Sequence, residues 1–325
     1  MQAYVVAMQP PRGPVFLSIP LDDWDKPALG PAVLRDVSGR VAPDAQRLQA
    51  FAEKISRAQR PLLLLGPEVD RDGGWEAGIA FAEKLKAPVY GSTLPDRISF
   101  PENHPLARGP MPMTIAGVNE ALQGYDLVIA IGAQVFRYYP FVAGDFLPEG
   151  TEVLQITSDP HLSAIAPVGD SLIGSVRICL EQLVDLIDVP ATRTAPAPRT
   201  LPEPTAVEPA AAPLTADQVY HVIRTVKPDD AALVNESTST MAEQLKWCPT
   251  THSDSFFSTP AAASAGASRR QSGSRSATAN AASTGMWSPP SATAPSSTRC
   301  KPSGPPHSTS CRSSSWHSAT APTRF

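Results

Sequence analysis

The sequence predicts a doubly wound α/β domain, in which helices cover both faces of a parallel sheet. Three observations lead to this prediction. Runs of consecutive apolar residues, such as LLLLG at 62–66, end at Gly or Pro, amphipathic helical patterns alternate with them, and no apolar run reaches the length of a membrane span. Continuous apolar strands are typical of parallel sheets that are buried on both faces. Their alternation with helices indicates a doubly wound layer.

The elements can be followed in order along the chain. The first is a predicted buried strand at Val15–Ile19, which prolines bound on either side. From residue 43 helices and strands alternate, because apolar spacing of i, i+3, i+4 and i+7 marks helices and unbroken apolar runs mark buried strands. The predicted helical faces are Leu48, Phe51, Ala52 and Ile55, then Trp75, Ile79, Ala82 and Leu85, and finally Leu180, Leu183, Val184 and Ile187. The predicted strands are 61–66, 88–90, 126–132 and 152–157.

The carboxyl ends of these strands are the predicted place for a ligand. In doubly wound sheets ligands bind beyond the carboxyl ends of the strands. Neither a G-x-G-x-x-G nor a G-x-x-x-x-G-K-[ST] sequence is present, so a nucleotide there has no motif to support it. The dipeptides at these ends are Gly66-Pro67, Gly132-Ala133 and Ser158-Asp159.

A second α/β domain is predicted to begin after a linker. Residues 189–213 are rich in Pro and Ala, which favours an extended, semi-rigid segment. Thr215 and Gln218 have the spacing of a capping box. A strand at 230–236 and a hydroxyl-rich helix start at 237–247 come next. The helix that the box begins is predicted to bury Val219, Val222, Ile223 and Val226.

The last part of the chain differs in composition from the rest. Residues 260–325 contain no Leu, Ile, Val, Asp, Glu or Tyr and carry seven Lys and Arg, which predicts a disordered basic tail. The preceding residues then hold 20 bases and 31 acids, a net charge of −11. The 4 cysteines show neither a disulfide framework nor a zinc pattern. The first twenty residues lack the features of a signal peptide, so we expect a cytoplasmic protein.

Seven segments, taken in order, carry a family resemblance. They are GPVFLSIPLDDWDKP, LLGPEVD, AEKLKAPV, FPENHPLARGPMP, AIGAQVFRYYP, APVGDS and VNESTST. Together they resemble the thiamine-diphosphate-dependent benzoylformate decarboxylases over nearly all of residues 1–259. The resemblance implies five regions: the end of a pyrimidine-binding domain at 1–27, a central α/β domain at 28–188, the linker at 189–213, the start of a diphosphate-binding domain at 214–259, and the tail at 260–325.

The resemblance also implies chemistry. Members of the family remove carbon dioxide from a small 2-oxo acid without oxidation and release an aldehyde, using thiamine diphosphate and Mg²⁺, mostly as homotetramers. Neither a membrane nor a nucleic acid is an expected partner. The family's activating Glu would lie before residue 1. We therefore expect the chain as written to be an inactive fragment that does not hold the cofactor tightly.

Thr238 and Ser239 match the family's hydroxyl residues that face the diphosphate. A strand end that leads into a helix N-terminus offers free N–H groups and a positive dipole end to an anion. The alternative is that the hydroxyls of residues 237–240 only cap the helix. Both roles are compatible.

Tyr139 departs from the family pattern. The resemblance places a catalytic histidine at this position of VFRYYP. Phenols ordinarily have a pKa near 10 and shuttle protons poorly at neutral pH, whereas imidazole, with a pKa near 6.5, is well suited. Tyr139 is therefore either the catalytic position, with benzoylformate specificity in question, or a tyrosine packed at a loop end.

The tail is predicted to be an out-of-frame reading of the same gene. Joining the third base of each codon to the first two of the next turns Met286-Trp287 into Val and Trp316-His317 into Ala. The same shift from Ser291 permits Gly-Asp-Gly, with an Asn 27 positions after the Asp, as the family's magnesium motif requires. In the chain as written no metal ligand is predicted. The alternative is a genuine basic tail that binds acidic partners or nucleic acid.

Two other functions stay open. One is an acetolactate-synthase-like carboligase, whose central domain is similar and can carry a flavin. The other is a nucleotide-binding module built on residues 30–188 with a disordered basic arm.

Overall fold

Strands and helices alternate along the chain as predicted. The structure is a computed structural model that describes residues 2–27, 30, 37–139, 141–199, 201, 213–237 and 239–258. The strands are β1 (Pro61–Leu65), β2 (Val89–Gly91), β3 (Ala107–Pro110), β4 (Leu127–Ile131), β5 (Glu152–Thr157), β6 (Asp170–Ile173), β7 (Leu233–Asn235) and β8 (Phe256–Ser258). The α-helices are α1 (Gln2–Met8), α2 (Ala45–Arg57), α3 (Pro67–Arg71), α4 (Trp75–Leu85), α5 (Ile115–Leu122), α6 (Pro160–Ala164), α7 (Val176–Leu186), α8 (Ala216–Val226) and α9 (Met241–Trp247), with a 3₁₀ turn at Leu21–Asp23.

Six of the strands form one parallel sheet in the order β3-β2-β1-β4-β5-β6. The chain runs from β1 outward through β2 and β3, then returns to the other side of β1 as β4. The strand order therefore reverses between β1 and β4, which is the topological switch point of a doubly wound sheet. This confirms the predicted fold class.

Alternate side chains of β1 enter cores on opposite faces of the sheet. Leu63 and Leu65 pack with α2, α4 and α7, whereas Leu62 and Leu64 pack with α5. Successive side chains of a strand point to opposite faces, so every position of β1 must be apolar when both faces are covered. The four predicted core residues of α2 are buried, and Asp44 caps its first turn by accepting a hydrogen bond from the Arg47 N–H at 2.8 Å.

The predicted strand at Val15–Ile19 is wrong. These residues form no strand, and the Phe16 side chain is 94% exposed. A strand is stabilised by hydrogen bonds to a neighbouring strand, and among the described residues none lies beside this segment. Apolar composition alone therefore misled the prediction.

The first part of the predicted linker is extended, and it packs against the ends of α2 and α4. Arg193 is buried, and its guanidinium donates hydrogen bonds to the carbonyls of Ser56, Ala58 and Leu85, which lie at the ends of α2 and α4. Carbonyls at helix C-termini lack partners within the helix, so a guanidinium is well suited to this position. The Arg193 carbonyl in turn accepts from Lys86 Nζ at 2.8 Å.

The region after the linker holds α8, β7, α9 and β8, with β7 and β8 paired in parallel. The predicted capping box of Thr215 and Gln218 is confirmed at the start of α8. The predicted buried face of α8 is wrong, because Val219, Val222 and Val226 are exposed. Ile223, the fourth residue of that predicted face, is half-buried. The predicted tail at 260–325 lies outside the described residues, and among those residues no helix has the length and apolar character needed to cross a membrane.

Candidate functional site

A crevice of about 240 Å³ opens at the switch point. The loops after β1, β4 and β5 meet there, since the Gly66 N–H donates to the Ile131 carbonyl at 2.9 Å and the Gly132 N–H to the Ile156 carbonyl at 2.7 Å. Gly132 has φ of +61°, and an added Cβ would lie 2.8 Å from the Glu68 Cβ. The structure thus brings together the three strand ends that the sequence predicted as the place for a ligand.

The Glu68 carboxylate lies in the wall of this crevice and occupies hydrogen-bond donors of the loop after β5. Its carboxylate accepts hydrogen bonds from the Thr157 hydroxyl, the Ser158 N–H and the Ser158 hydroxyl, each at 2.7 Å. These three donors lie where a doubly wound domain would offer donors to an anionic ligand. Because the Glu68 carboxylate uses them, a phosphate at this place would meet a negative charge and lose its donors.

Two polar pairs attach residues 250–258 to the central sheet. The Asp70 carboxylate accepts from Arg97 Nη1 at 2.8 Å and from the Asp254 N–H at 3.1 Å, and Arg97 also pairs with Asp254. Burial raises the pKa of Asp70, and the hydrogen bond from Arg97 opposes that rise. The Arg97 guanidinium lies 4.7 Å from the centroid of the Phe257 ring. This cluster fixes the chain on both sides of Asp254.

Glu102 makes the second attachment. The Glu102 N–H donates to the Thr250 carbonyl at 2.9 Å, and the Thr250 N–H donates to the Glu102 carboxylate at 2.7 Å. Burial raises the pKa of Glu102 to about 7, and the hydrogen bonds from Thr250 act against that rise. The carboxyl group therefore titrates near neutral pH.

Of the two predicted diphosphate-facing residues, Ser239 lies on the loop between β7 and α9. The Ser239 side chain is exposed, and Thr238 lies outside the described residues. Asn235 Oδ1 accepts from the Ser237 N–H at 2.7 Å, and the hydroxyls of Ser237 and Thr240 lie 2.7 Å apart. Asn235 is buried, and its Nδ2 has no hydrogen-bond partner among the described residues.

The loop between β7 and α9 offers hydrogen-bond donors, and none of its described side chains caps the N-terminus of α9. Thr240 is the N-cap of α9, but its side chain makes no capping hydrogen bond. An orphaned buried amide is costly unless something accepts its hydrogen bond. The orphaned Asn235 amide and the exposed Ser239 hydroxyl thus fit the oxygen-rich surface of a phosphate. Among the described residues no group of three or more His, Cys, Asp or Glu is placed to hold a metal ion.

Tyr139 lies in the loop after β4, and a hydrogen bond from its backbone holds it there. Its N–H donates to the Met113 carbonyl at 2.9 Å, while its side chain is 69% exposed. The neighbouring Tyr138 is the packed tyrosine, and burial raises its pKa to about 12. The structure thus does not support the packed alternative for Tyr139. No hydrogen bond or ring contact between described residues joins its side chain to Ser239.

Sequence reasoning missed Glu68, Asp70, Arg97 and Glu102. The one available signal was the position of Glu68 two residues after Gly66, at a strand end. Nothing in the local pattern indicates that these charges are buried against partners far away in the chain.

Comparisons with known proteins agree with this architecture. Residues 48–183 match the family model described as thiamine pyrophosphate enzyme, central domain. The benzoylformate decarboxylase of Pseudomonas aeruginosa is 42% identical over 245 residues, which are 74% of this chain and 46% of that protein.

Solved structures give the same picture. A protein from Mycobacterium smegmatis, named as a candidate thiamin diphosphate-dependent enzyme, superposes with a TM-score of 0.75 at 63% identity over 81% of this chain and 50% of its own. The benzoylformate decarboxylase of Polynucleobacter necessarius superposes with a TM-score of 0.72 at 39% identity over 79% of this chain and 48% of its own. The chain thus spans about half the length of these relatives.

Proposed function

From the premise that residues 48–183 are a thiamine pyrophosphate enzyme central domain, we propose that the chain is part of a thiamine-diphosphate-dependent decarboxylase of small 2-oxo acids. The observation that carries the proposal is the similarity to benzoylformate decarboxylase from Pseudomonas aeruginosa. It extends over 245 residues, well beyond the central domain itself. Benzoylformate is accordingly the first substrate to test.

The loop from Asn235 to Thr240 is the proposed contact for the diphosphate. The exposed Ser239 hydroxyl and the orphaned Asn235 amide would donate hydrogen bonds to phosphate oxygens, and Thr238 would lie between them in the chain. The Ser237–Thr240 hydroxyl pair holds the loop. When bound, thiamine diphosphate supplies the ring that accepts the electrons left by departing carbon dioxide.

Magnesium would accompany the diphosphate, since this hard cation prefers oxygen ligands and phosphates. The sequence contains no Gly-Asp-Gly, which the family uses to hold the ion. We therefore expect the 325-residue chain alone to bind the cofactor more weakly than micromolar. A reading frame shifted in the region of residue 260 would restore that motif.

Tyr139 is the proposed acid–base position. Its phenol is exposed at the end of the β4 loop, which leaves the O–H free to reach a substrate. A phenol in place of the family histidine would donate a proton and accept one with difficulty at neutral pH. This favours a role in placing or protonating the substrate.

Glu68 supports the decarboxylase over the flavin-carrying carboligase. Its carboxylate uses the Ser158 N–H and two hydroxyls at the switch point, so these donors are not offered to a flavin nucleotide. The parent protein would act as a cytoplasmic homotetramer, as is usual for the family.

The cofactor content of the intact parent protein, purified from its source organism, tests the proposal. We expect thiochrome fluorescence to detect about one thiamine diphosphate per chain after loading with Mg²⁺, and less after Ser239→Ala. Protein that carries no thiamine diphosphate after loading would contradict the proposal.

A further inference from the structure

A cavity of about 600 Å³ lies between the end of the docked linker and the region that holds α8 and α9. Its walls come from the linker residues Pro198, Arg199 and Leu201, the end of α8, and the segment that follows α9. It is separate from the switch-point crevice and from the loop that carries Ser239.

Positive charge dominates this cavity. Its cationic lining residues are Arg199, Arg224, Lys227 and Lys246, whereas Asp229 is the one carboxylate that lines it. Lys246 pairs with Asp217 at 2.7 Å. Within the described part of the chain no ion pair includes Arg199, Arg224 or Lys227. Lys227 Nζ donates to the carbonyls of Pro228 at 3.0 Å and Ala231 at 3.4 Å, which leaves Arg199 and Arg224 as the two lining arginines. Cations gathered on one concave surface raise the local concentration of anions.

Arg199 gives the sharpest indication of a ligand. Its Nη1 is buried and has no hydrogen-bond partner among the described residues. The guanidinium lies against Gly109, where an added Cβ would be 3.1 Å from Nη1. A buried guanidinium nitrogen without an acceptor is costly, and an ion or ordered water is the usual explanation. The charge of Arg199 acts to lower the pKa of Glu102, which burial raises to about 7, so this carboxyl group is only partly charged at neutral pH.

The helix end accounts for only part of this charge. Arg224 lies in the last turn of α8 and Lys227 is its C-cap, a position where the helix dipole favours cations. Arg199 comes from the linker and Lys246 from α9, so no single helix explains the cluster. Arg224, Lys227 and Cys248 all line the cavity, and both charges act to lower the pKa of Cys248, which burial raises.

We propose that this cavity is a binding site for a phosphate group, in which Arg199 and Arg224 supply the charged hydrogen-bond donors. Guanidinium groups bind phosphate oxygens in a bidentate way and recognise phosphate better than scattered lysines do. The site is independent of the proposed cofactor loop, so either assignment can fail without the other.

Isothermal titration of inorganic phosphate into the full 325-residue chain at constant ionic strength tests this site. We expect one saturable site, whose Kd rises by about tenfold or more in the double variant Arg199→Gln, Arg224→Gln, because two charged hydrogen-bond donors are lost. The matched control is Arg47→Gln, Arg57→Gln, which removes the same charge from α2.

Three results would overturn the proposal: no saturable binding, the same Kd in wild type and cavity variant, or an equal loss in the α2 control. The single variant Arg224→Gln changes an exposed side chain and keeps the test valid if the double variant unfolds. Titration with glucose 6-phosphate then shows whether the site takes free phosphate alone or a phosphate ester as well.

Discussion

The Glu68 carboxylate and the Ser158 N–H are joined by a hydrogen bond of 2.7 Å, although 90 residues separate them in the chain. The bond connects the loop after β1 to the loop after β5 across the switch point. It stabilises the sheet at the edge where related architectures bind ligands, and it fills that edge with the protein's own carboxylate.

Glu68→Gln is expected to lower the free energy of unfolding by about 1–3 kcal/mol, because charged hydrogen bonds to a buried carboxylate are lost. Urea unfolding followed by circular dichroism measures the change. Glu53→Gln on the exposed side of α2 is the control and should change it by less than about 0.5 kcal/mol. Equal effects of the two substitutions would show that the Glu68 contacts do not stabilise the fold.

Arg193→Met is expected to release the docked part of the linker. The substitution keeps the side chain's length but removes its donors to three helix-end carbonyls, at a cost of about 1–3 kcal/mol. Limited proteolysis should then cut residues 189–199 faster. Arg57→Met removes a surface pair with Glu53 and should leave the rate unchanged. An unchanged rate in Arg193→Met would refute the role of Arg193 as the anchor.

The free energy of unfolding should fall as the pH rises from about 4.5 to 7, because the buried Glu102 carboxyl group ionises. Its pKa in the folded chain is about 7, above the ordinary value of 4.5, so in this window the folded chain retains a proton that the unfolded chain has lost. Full ionisation costs about 3 kcal/mol at most.

Glu102→Gln removes this titration while keeping an oxygen for the Thr250 N–H. The difference in unfolding free energy between the variant and wild type should therefore shift in favour of the variant from pH 5 to pH 8. Urea titrations at both pH values measure it. A difference that does not change with pH would rule out Glu102 as the titrating group.

Tyr139→Phe is expected to lower kcat for a 2-oxo acid by about tenfold or more in the protein purified from its source organism, since a positioned proton donor contributes at least that much. Its stability should not change, because the side chain is 69% exposed. Tyr4→Phe removes another exposed phenol and serves as the control. Equal kcat values for Tyr139→Phe and wild type would exclude a catalytic role.

The local sequence pattern correctly predicted elements whose buried residues follow one simple repeat. The apolar face of α2 and the run at β1 were read correctly, because burial on a covered sheet dictates both. The edge strand β3 was missed, since its sequence ARGP carries no apolar run. Helix α8 shows the opposite error. Its amphipathic pattern predicted a buried face, but Val219 on that face is exposed.

The contacts of the candidate sites depend on distant pairs that a single sequence does not reveal. Arg193 reaches a carbonyl 135 residues earlier, and Asp70 accepts from an N–H 184 residues later. Such pairs form only once the sheet order is fixed. The proposed cofactor loop was predicted instead through its resemblance to a family, and the roles of Thr238 and Ser239 stay predictions.

Product analysis of benzoylformate turnover tests the central claim most directly. The protein is purified from its source organism with antibodies to residues 48–183, then incubated with benzoylformate in the presence or absence of thiamine diphosphate and Mg²⁺. Our account predicts benzaldehyde and carbon dioxide in equal amounts, formed only when both additions are present. No benzaldehyde, together with acetolactate from pyruvate under the same conditions, would contradict it.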